Sequence, residues 1–188
     1  MSHCVNLEPN SVYVATQTII MDTNNGTVFT EKFHWSLFIT DTHGAVVQHH
    51  WNTRGTESGD EEYASHSSVA SVQESTALST YLVFTKIAPT LSSTLQHSLY
   101  NIFEDRLGIP YIRNRMVGIS CRTFVIEALG VFDREKWLDF PSLAHQDLCY
   151  IETIIDARSK DVARKYVLLR GQGMQSLFRS HSGQIQVM

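Results

Sequence analysis

The sequence predicts an α+β protein in which one antiparallel sheet packs against helices. Segments rich in β-branched and aromatic residues occupy the first half of the chain, and turn signals separate them. Apolar residues recur at helical spacing in the second half. With 188 residues, 43% of them hydrophobic, we expect one domain with its core in residues 11–170 and a fraying tail in residues 171–188.

The strands are predicted from composition and from the turns between them. Asn25-Gly26 is a strong hairpin signal because both residues tolerate positive φ. A second turn is expected at residues 41–44, and the polar segment 52–68 is expected to be a surface loop. The predicted strands are Ser11–Met21, Thr27–Thr40, Ala45–Trp51, Val69–Val72 and Tyr81–Ile87.

Helices are predicted in the remainder of the chain. Ser120 is a suitable N-cap for a helix over Ser120–Val131, in which Phe124, Val125, Ala128 and Leu129 form one apolar stripe. Gly108 is a suitable C-cap for an earlier helix, and Ile109–Ile112 is expected to be extended or loop. The other predicted helices are Ser92–Leu107 and, in pieces, residues 133–170.

Composition excludes several classes of function. The chain carries 15 Lys and Arg against 19 Asp and Glu, a net charge of −4, which argues against a nucleic-acid binder. No glycine-rich phosphate loop indicates a nucleotide cofactor, and the cysteines and histidines lack metal-site spacing. We therefore expect neither a cofactor nor a metal. The chain has only three cysteines and no signal-peptide pattern, which predicts a cytoplasmic protein. It has no run of about 18 apolar residues, so no membrane span is expected.

Cys121 and His34 are the candidate reactive residues. A thiol in the first turn of a helix faces unpaired N–H groups, which favour the thiolate and can bind an oxyanion. His34 is a polar ring in an otherwise apolar strand and therefore needs a partner or a role. Each residue alone is more simply a core residue. Together they have the layout of a thiol catalyst in which a strand histidine deprotonates a helix cysteine.

Two segments carry a resemblance to a known family. Residues 34–39 (HWSLFI) with 44–47 (GAVV) look like the histidine hairpin of lecithin:retinol acyltransferase-like proteins. Residues 121–129 (CRTFVIEAL) are similar to their cysteine helix. The order, histidine strand before cysteine helix, resembles the circularly permuted branch of the NlpC-type papain-like fold. The resemblance implies that Cys121 is the nucleophile and His34 the general base.

The same resemblance implies a third polar residue that orients His34, and Gln48 stands in its register after the turn. If residues 40–44 form the connection, Ile39 pairs with Ala45 and His34 lies opposite His50. Strand alternation then puts Gln48 and His50 on the face of His34, and His49 on the other face. Gln48 and His50 therefore both remain candidates for the orienting role.

The function expected is acyl transfer through a Cys121 thioester. We expect a thioester or ester donor, which a carrier can bear, and an amine acceptor, without metal or ATP. The aromatic residues Phe33, Trp35, Phe38 and Trp51 suit an apolar acyl chain or are simply core. Arg113-Asn114-Arg115 can bind an anionic substrate group or form a solvated turn, and Asp60-Glu61-Glu62 is expected to be a solvated loop.

Three other classes of function stay open at this stage. The first is an amidase or peptidase that uses the same cysteine and histidine. The second is a non-catalytic binding module on the same fold, and the third is a structural or interaction protein in which the motif match is chance. Competition between an amine and water for the acyl group separates transfer from hydrolysis.

Overall fold

The computed structural model describes residues 5–23, 26–53, 59–68, 71–72, 81–89, 98–138, 145–171 and 184–186. Its helices are α1 (Tyr111–Met116), α2 (Cys121–Arg134) and α3 (His145–Gly171), and a short 3₁₀ turn spans Glu104–Arg106. Its strands are β1 (Val5–Asn6), β2 (Ser11–Thr23), β3 (Gly26–Thr40), β4 (Val46–Thr53), β5 (Glu61–Ser68), β6 (Ser71–Val72), β7 (Tyr81–Pro89) and β8 (Gln184–Gln186).

One sheet dominates the fold, with the strand order β5-β4-β3-β2-β7-β8. The five strands from β5 to β7 are antiparallel to their neighbours, and β8 adds to β7 in parallel. Strands β1 and β6 form a separate antiparallel pair. The predicted α+β class, with an antiparallel sheet and helices, is therefore confirmed.

The β2–β3 hairpin is the longest pairing in the sheet. Its register runs from Val12 opposite Ile39 to Thr23 opposite Gly26, with an irregularity between Thr18 and Ile20. Both strands are as rich in β-branched and aromatic residues as the sequence indicates, and both extend beyond the predicted bounds. The predicted turn residue Asn25 lies outside the described residues.

Alternation along β3 gives the sheet two distinct faces. Phe33, Trp35 and Leu37 belong to the large core cluster that also contains Phe124 and Val125 of α2. On the other face, Phe38 packs in a smaller buried cluster. The other members of that cluster are Leu7, Tyr13, Ala15, Val46 and Phe84. Helix α2 thus covers the face to which the odd-numbered residues of β3 point.

The connection between β3 and β4 sets a register two residues away from the predicted one. The carboxylate of Asp41 accepts hydrogen bonds from the backbone N–H groups of His43 and Ala45, both at 2.8 Å. This Asp41 turn occupies residues 41–45, so Ile39 pairs with Val47 and not with Ala45. A shift of two leaves every side chain on its predicted face, because the side-chain period of a strand is two residues.

Strand β5 contradicts the predicted surface loop over 52–68. Asn52 and Thr53 belong to β4, and Glu61–Ser68 pairs with β4 from Thr53 opposite Glu61 to Val46 opposite Ser68. Composition concealed β5 because it is an edge strand whose sequence, EEYASHSS, is almost wholly polar. Residues 54–58 of the predicted loop lie outside the described residues.

The segment before α2 also differs from expectation. Residues 92–97 of the predicted helix lie outside the described residues, and only 98–99 are helical before turns and the 3₁₀ segment. Gly108 has φ +71°, as a helix-terminating glycine would. The segment expected to be extended after it instead starts helix α1 directly after Pro110, whose ring fixes φ near a helical value.

Helix α2 begins as predicted, and α3 is more continuous than predicted. Ser120 is the N-cap of α2, and Phe124, Val125, Ala128 and Leu129 are all buried. Helix α3 is one element of 27 residues, and its buried Ser159 hydroxyl lies 2.7 Å from the Thr16 hydroxyl of β2. None of the helices that the structure describes is long and apolar enough to cross a membrane.

The tail predicted to fray contains a strand. Residue 171 still belongs to α3, and β8 pairs with Phe84–Lys86 of β7. A strand of three residues is too short for its period to be recognised in the sequence. Residues 172–183 and 187–188 lie outside the described residues, as do 69–70 of the predicted strand over 69–72.

A buried carboxylate fixes the segment that leads into α2. Glu61 accepts hydrogen bonds from Trp51 Nε1 at 2.9 Å and from Asn114 Nδ2 at 3.0 Å. Arg115 completes a bidentate ion pair with it, at 2.6 and 3.2 Å. These four residues, the Glu61 cluster, join β4, β5 and α1. The Glu61 carboxylate is 1% exposed, so the hydrogen bonds and the ion pair with these partners must replace the hydration that it loses on burial.

Replacing Glu61 should destabilise the protein far more than replacing an exposed carboxylate. Glu61→Ala leaves Trp51, Asn114 and Arg115 without their common acceptor, which should lower the free energy of unfolding by about 3 kcal/mol. Urea denaturation measures this difference, with Glu104→Ala as the matched control because Glu104 is exposed. Equal stabilities of the two variants would contradict the assigned role of the cluster.

Candidate functional site

Cys121 is the first residue of α2, where a reciprocal cap fixes the helix start. The backbone N–H of Thr123 donates to Ser120 Oγ at 3.1 Å, and the backbone N–H of Ser120 donates to Thr123 Oγ1 at 2.7 Å. This capping box satisfies two otherwise unpaired donors and holds the first turn in place. The half-buried thiol of Cys121 packs against the large core cluster.

The thiol lies against the two peptide groups that flank His34. Cys121 Sγ is 4.0 Å from the carbonyl oxygen of Phe33, and the backbone N–H of Trp35 donates toward the sulfur. Burial raises the pKa of the thiol, and the N–H groups of Trp35 and Arg122 and the charge of Arg115 offset this only in part. The expected lowering of the pKa by the helix N-terminus is therefore outweighed by desolvation.

The His34 ring is held by a second histidine. His34 Nε2 and His50 Nδ1 are 2.9 Å apart, and the two rings meet edge to face with centroids 5.1 Å apart. Burial and, to a smaller extent, the nearby charge of Arg115 together lower the pKa of His34 to about 4. His34 is therefore a neutral imidazole at pH 7, hydrogen-bonded to a fixed partner.

Cys121 and His34 meet at the same stretch of β3 without a direct hydrogen bond. In the part of the chain that the structure describes, the Cys121 thiol contacts the backbone of Phe33 and Trp35, and the His34 ring contacts His50. Alternation turns the His34 ring away from the face of Phe33 and Trp35, which α2 covers. The resting arrangement is thus a neutral thiol and a neutral imidazole on either side of one strand.

The three candidates for orienting His34 occupy the predicted faces. Gln48 and His50 lie on the His34 face, where Gln48 Nε2 donates to Ser36 Oγ at 3.1 Å. His49 lies on the other face, 2.6 Å from the hydroxyl of Tyr63. His34 and His50 share a hydrogen bond, whereas Gln48 is bonded to Ser36. Of the predicted candidates, the structure therefore brings His50 to His34.

Two of the three predicted anion-binding residues, which lie within α1, bind a carboxylate of the protein itself. Asn114 and Arg115 both bind the carboxylate of Glu61, and Arg115 also donates to the carbonyl oxygen of Ile119. That carbonyl comes just before the Ser120 cap, so the Glu61 cluster positions the start of α2. The prediction of a solvated acidic loop is wrong for Glu61, which is buried in β5. The spacing of Glu61 and the aromatic Tyr63, two residues apart, was the signal in the sequence that indicates a strand with both side chains on one face.

The aromatic residues expected to suit an acyl chain belong to the core. Phe33, Trp35, Phe38 and Trp51 are all at most 7% exposed. A cavity of about 380 Å³ lies instead at the edge of β5. It is lined by Glu61, Glu62, Tyr63, Tyr100, Leu107 and Gly108. Tyr63 packs on Phe124, one helical turn after Cys121, which connects this cavity to the start of α2.

Neither a metal-binding cluster among the described residues nor a similar known protein indicates the function. Within the described ranges, no group of three or more His, Cys, Asp or Glu side chains is arranged to hold a metal ion. No protein-family model, curated protein or solved structure matches the chain. The function is therefore inferred from the geometry around Cys121.

Stability should fall as the pH drops below 6.5. Burial lowers the pKa of His34 and His49 to about 4 and that of His50 to about 3, so the folded chain binds fewer protons than the unfolded chain from pH 6.5 to about 4. Each histidine kept neutral costs about 1.4 kcal/mol per pH unit there. Chemical denaturation from pH 7.5 to 4.5 measures this slope, which His50→Gln should reduce.

The control for that slope is His43→Gln, because His43 is exposed in the Asp41 turn. This variant should keep the wild-type dependence of stability on pH. A flat stability profile for the wild type between pH 6.5 and 4.5 would show that the buried histidines do not stay neutral.

The resting thiol of Cys121 should react slowly with an alkylating reagent. Since burial raises its pKa and Cys149 is exposed, iodoacetamide at pH 7 should modify Cys149 first. Peptide-resolved mass spectrometry follows each thiol separately, and Cys149→Ser should remove the phase that belongs to the Cys149 peptide and leave the rate at Cys121 unchanged. Faster modification of Cys121 than of Cys149 in the folded protein would refute a buried neutral thiol.

Proposed function

We propose that this chain transfers acyl groups through a thioester on Cys121, from a thioester or ester donor to an amine, without metal or ATP. The observation that carries the proposal is the location of the thiol. It stands at the first residue of a capped helix, against the peptide groups on either side of His34. A cysteine nucleophile and a histidine base are the minimum that covalent acyl transfer requires, and here they reach the same stretch of β3 from opposite faces. We propose a papain-like, circularly permuted arrangement for the pair.

The splaying of β3 from β4 supports a role for His34 as the base. Pairing of the two strands runs from Thr40 opposite Val46 only to Leu37 opposite His49, whereas β4 stays paired with β5 as far as Thr53. His34 and the thiol both lie beyond the end of that pairing. In the proposed acylation step, His34 turns through this opening, takes the thiol proton and passes it to the leaving group.

His50 is the proposed orienting residue. A base must keep one ring nitrogen free for the thiol while the other is held, and the 2.9 Å contact between His34 Nε2 and His50 Nδ1 meets that need. In the proposed mechanism, the backbone N–H of Cys121 donates to the oxyanion that forms on the acyl carbon. Gln48 then acts only through Ser36 and contributes less.

The cavity beside Tyr63 is the proposed binding region for one of the two substrates. Tyr63, Tyr100 and Leu107 give it apolar walls, and the ring of Tyr63 lies 5.9 Å from that of Phe124. An apolar acyl chain would bury these walls beside the carboxylates of Glu61 and Glu62, which also line the cavity. Water that enters with the donor turns the same intermediate into a hydrolysis product, so dryness of this region decides between amide and acid.

A non-catalytic binding module is the second candidate. Its specific support is the resting chemistry of the site, in which the thiol has a raised pKa and His34 is hydrogen-bonded to His50 instead of to sulfur. A preformed thiolate–imidazolium pair, the usual activated state of a cysteine nucleophile, would have argued against it. Formation of a covalent adduct on Cys121 separates the two candidates.

The deciding experiment is intact-mass spectrometry after incubation with a panel of acyl thioesters. We expect one acyl adduct on the wild type, none on Cys121→Ala, and an unchanged adduct on the control Cys149→Ala. His34→Ala should slow the adduct at least a hundredfold, and His50→Ala should slow it by less, because a base contributes more than its orienting partner.

A second measurement identifies the reaction. Addition of a primary amine to the acyl enzyme should release an amide, whereas release of the acid alone would assign a hydrolase. Absence of any adduct across the panel, in a protein that is folded by circular dichroism, would refute acyl transfer and favour the binding module.

A further inference from the structure

Three histidines on neighbouring strands form a row that leads from the site to solvent. His34 of β3 contacts His50 of β4, and the ring of His50 meets the ring of His66 of β5 with centroids 5.3 Å apart. His66 is exposed, whereas His50 is 7% exposed. The row therefore has its inner end at His34, on the opposite face of β3 from the Cys121 thiol, and its outer end at the surface.

One ring nitrogen of the middle histidine, His50, lacks a hydrogen-bond partner among the described residues. His50 Nε2 is buried and makes no hydrogen bond to any residue that the structure describes. Its other nitrogen, Nδ1, is already bonded to His34. An unpaired buried ring nitrogen is costly, so its persistence needs a reason. A water molecule or a rotation of the exposed His66 side chain would bridge the gap between the two rings.

Proton balance in acyl transfer gives that reason. In the first step, the acyl–sulfur bond of the donor breaks, a bond to Cys121 Sγ forms, and the thiol proton leaves with the donor thiolate. In the second step, an ammonium acceptor loses two protons as its C–N bond forms. One returns to the Cys121 sulfur, and the other must leave a buried site. Hydrolysis by water likewise releases one proton per turnover.

We infer that His66 is the outer member of a proton relay, His34–His50–His66, that carries this proton to solvent. Each imidazole accepts a proton on one nitrogen and gives one up from the other. His34 passes it from Nε2 to His50 Nδ1, and His50 passes it from Nε2 toward His66. The inference rests on the proposed function for its substrate chemistry, and His66 acts through His50 without touching the reacting atoms.

The test separates the two steps of the reaction with His66→Ala. In single-turnover measurements, acylation of Cys121 by a thioester should proceed at the wild-type rate, because that step exports no proton. Steady-state turnover with an amine in weak buffer should fall about tenfold, and added imidazole should restore it. The control His43→Ala, another exposed histidine, should change neither step. Undiminished turnover, or a loss that imidazole does not restore, would overturn the relay.

A second readout does not depend on acyl transfer. Nitrogen-15 NMR of the histidine rings gives the rate at which the proton shared by His34 and His50 exchanges with water. His66→Ala should slow this exchange, and His43→Ala should leave it unchanged. If no thioester acylates Cys121, the proposed function fails, and the ring exchange alone decides the relay. Equal exchange in His66→Ala and the wild type would overturn it.

Discussion

The buried charge of Glu61 is the constraint on which the rest of the site depends. A carboxylate that is 1% exposed requires compensation, and Trp51, Asn114 and Arg115 supply it from β4 and α1. Arg115 also donates to the carbonyl of Ile119, directly ahead of the α2 cap. The location of the Cys121 thiol is thus set by an ion pair between residues 54 positions apart in the chain.

Burial is the largest electrostatic effect on both candidate reactive groups, since it lowers the pKa of His34 and raises that of the Cys121 thiol. The Glu61–Arg115 pair adds smaller effects. Arg115 lowers the pKa of both groups, whereas Glu61 raises that of the thiol. The resting site is therefore uncharged at both groups. In the proposed mechanism, charge separation is created only when a substrate binds, which protects the thiol from reaction in its absence.

Predictions from the sequence succeed best where local features alone, such as strand alternation or a helix cap, determine the structure. The β2–β3 hairpin and the Ser120 cap of α2 follow from composition and capping chemistry. The faces of Gln48, His49 and His50 survived a two-residue register error because strand alternation is unaffected by an even shift. Predictions failed where tertiary contacts decide. The polar strand β5 looks like a loop until Glu61 and Tyr63 are seen to point inward.

The two faces of the sheet differ in what they bury, and this difference determines where the candidate reactive residues lie. Phe33, Trp35, Leu37 and Ile39 of β3 fill the core under α2. The even-numbered positions face the other side of the sheet, where Phe38 and Val46 pack in the smaller cluster and His34 contacts His50. In the proposed mechanism, the nucleophile comes from the first turn of α2, where the helix has unpaired backbone N–H donors and where Cys121 lies.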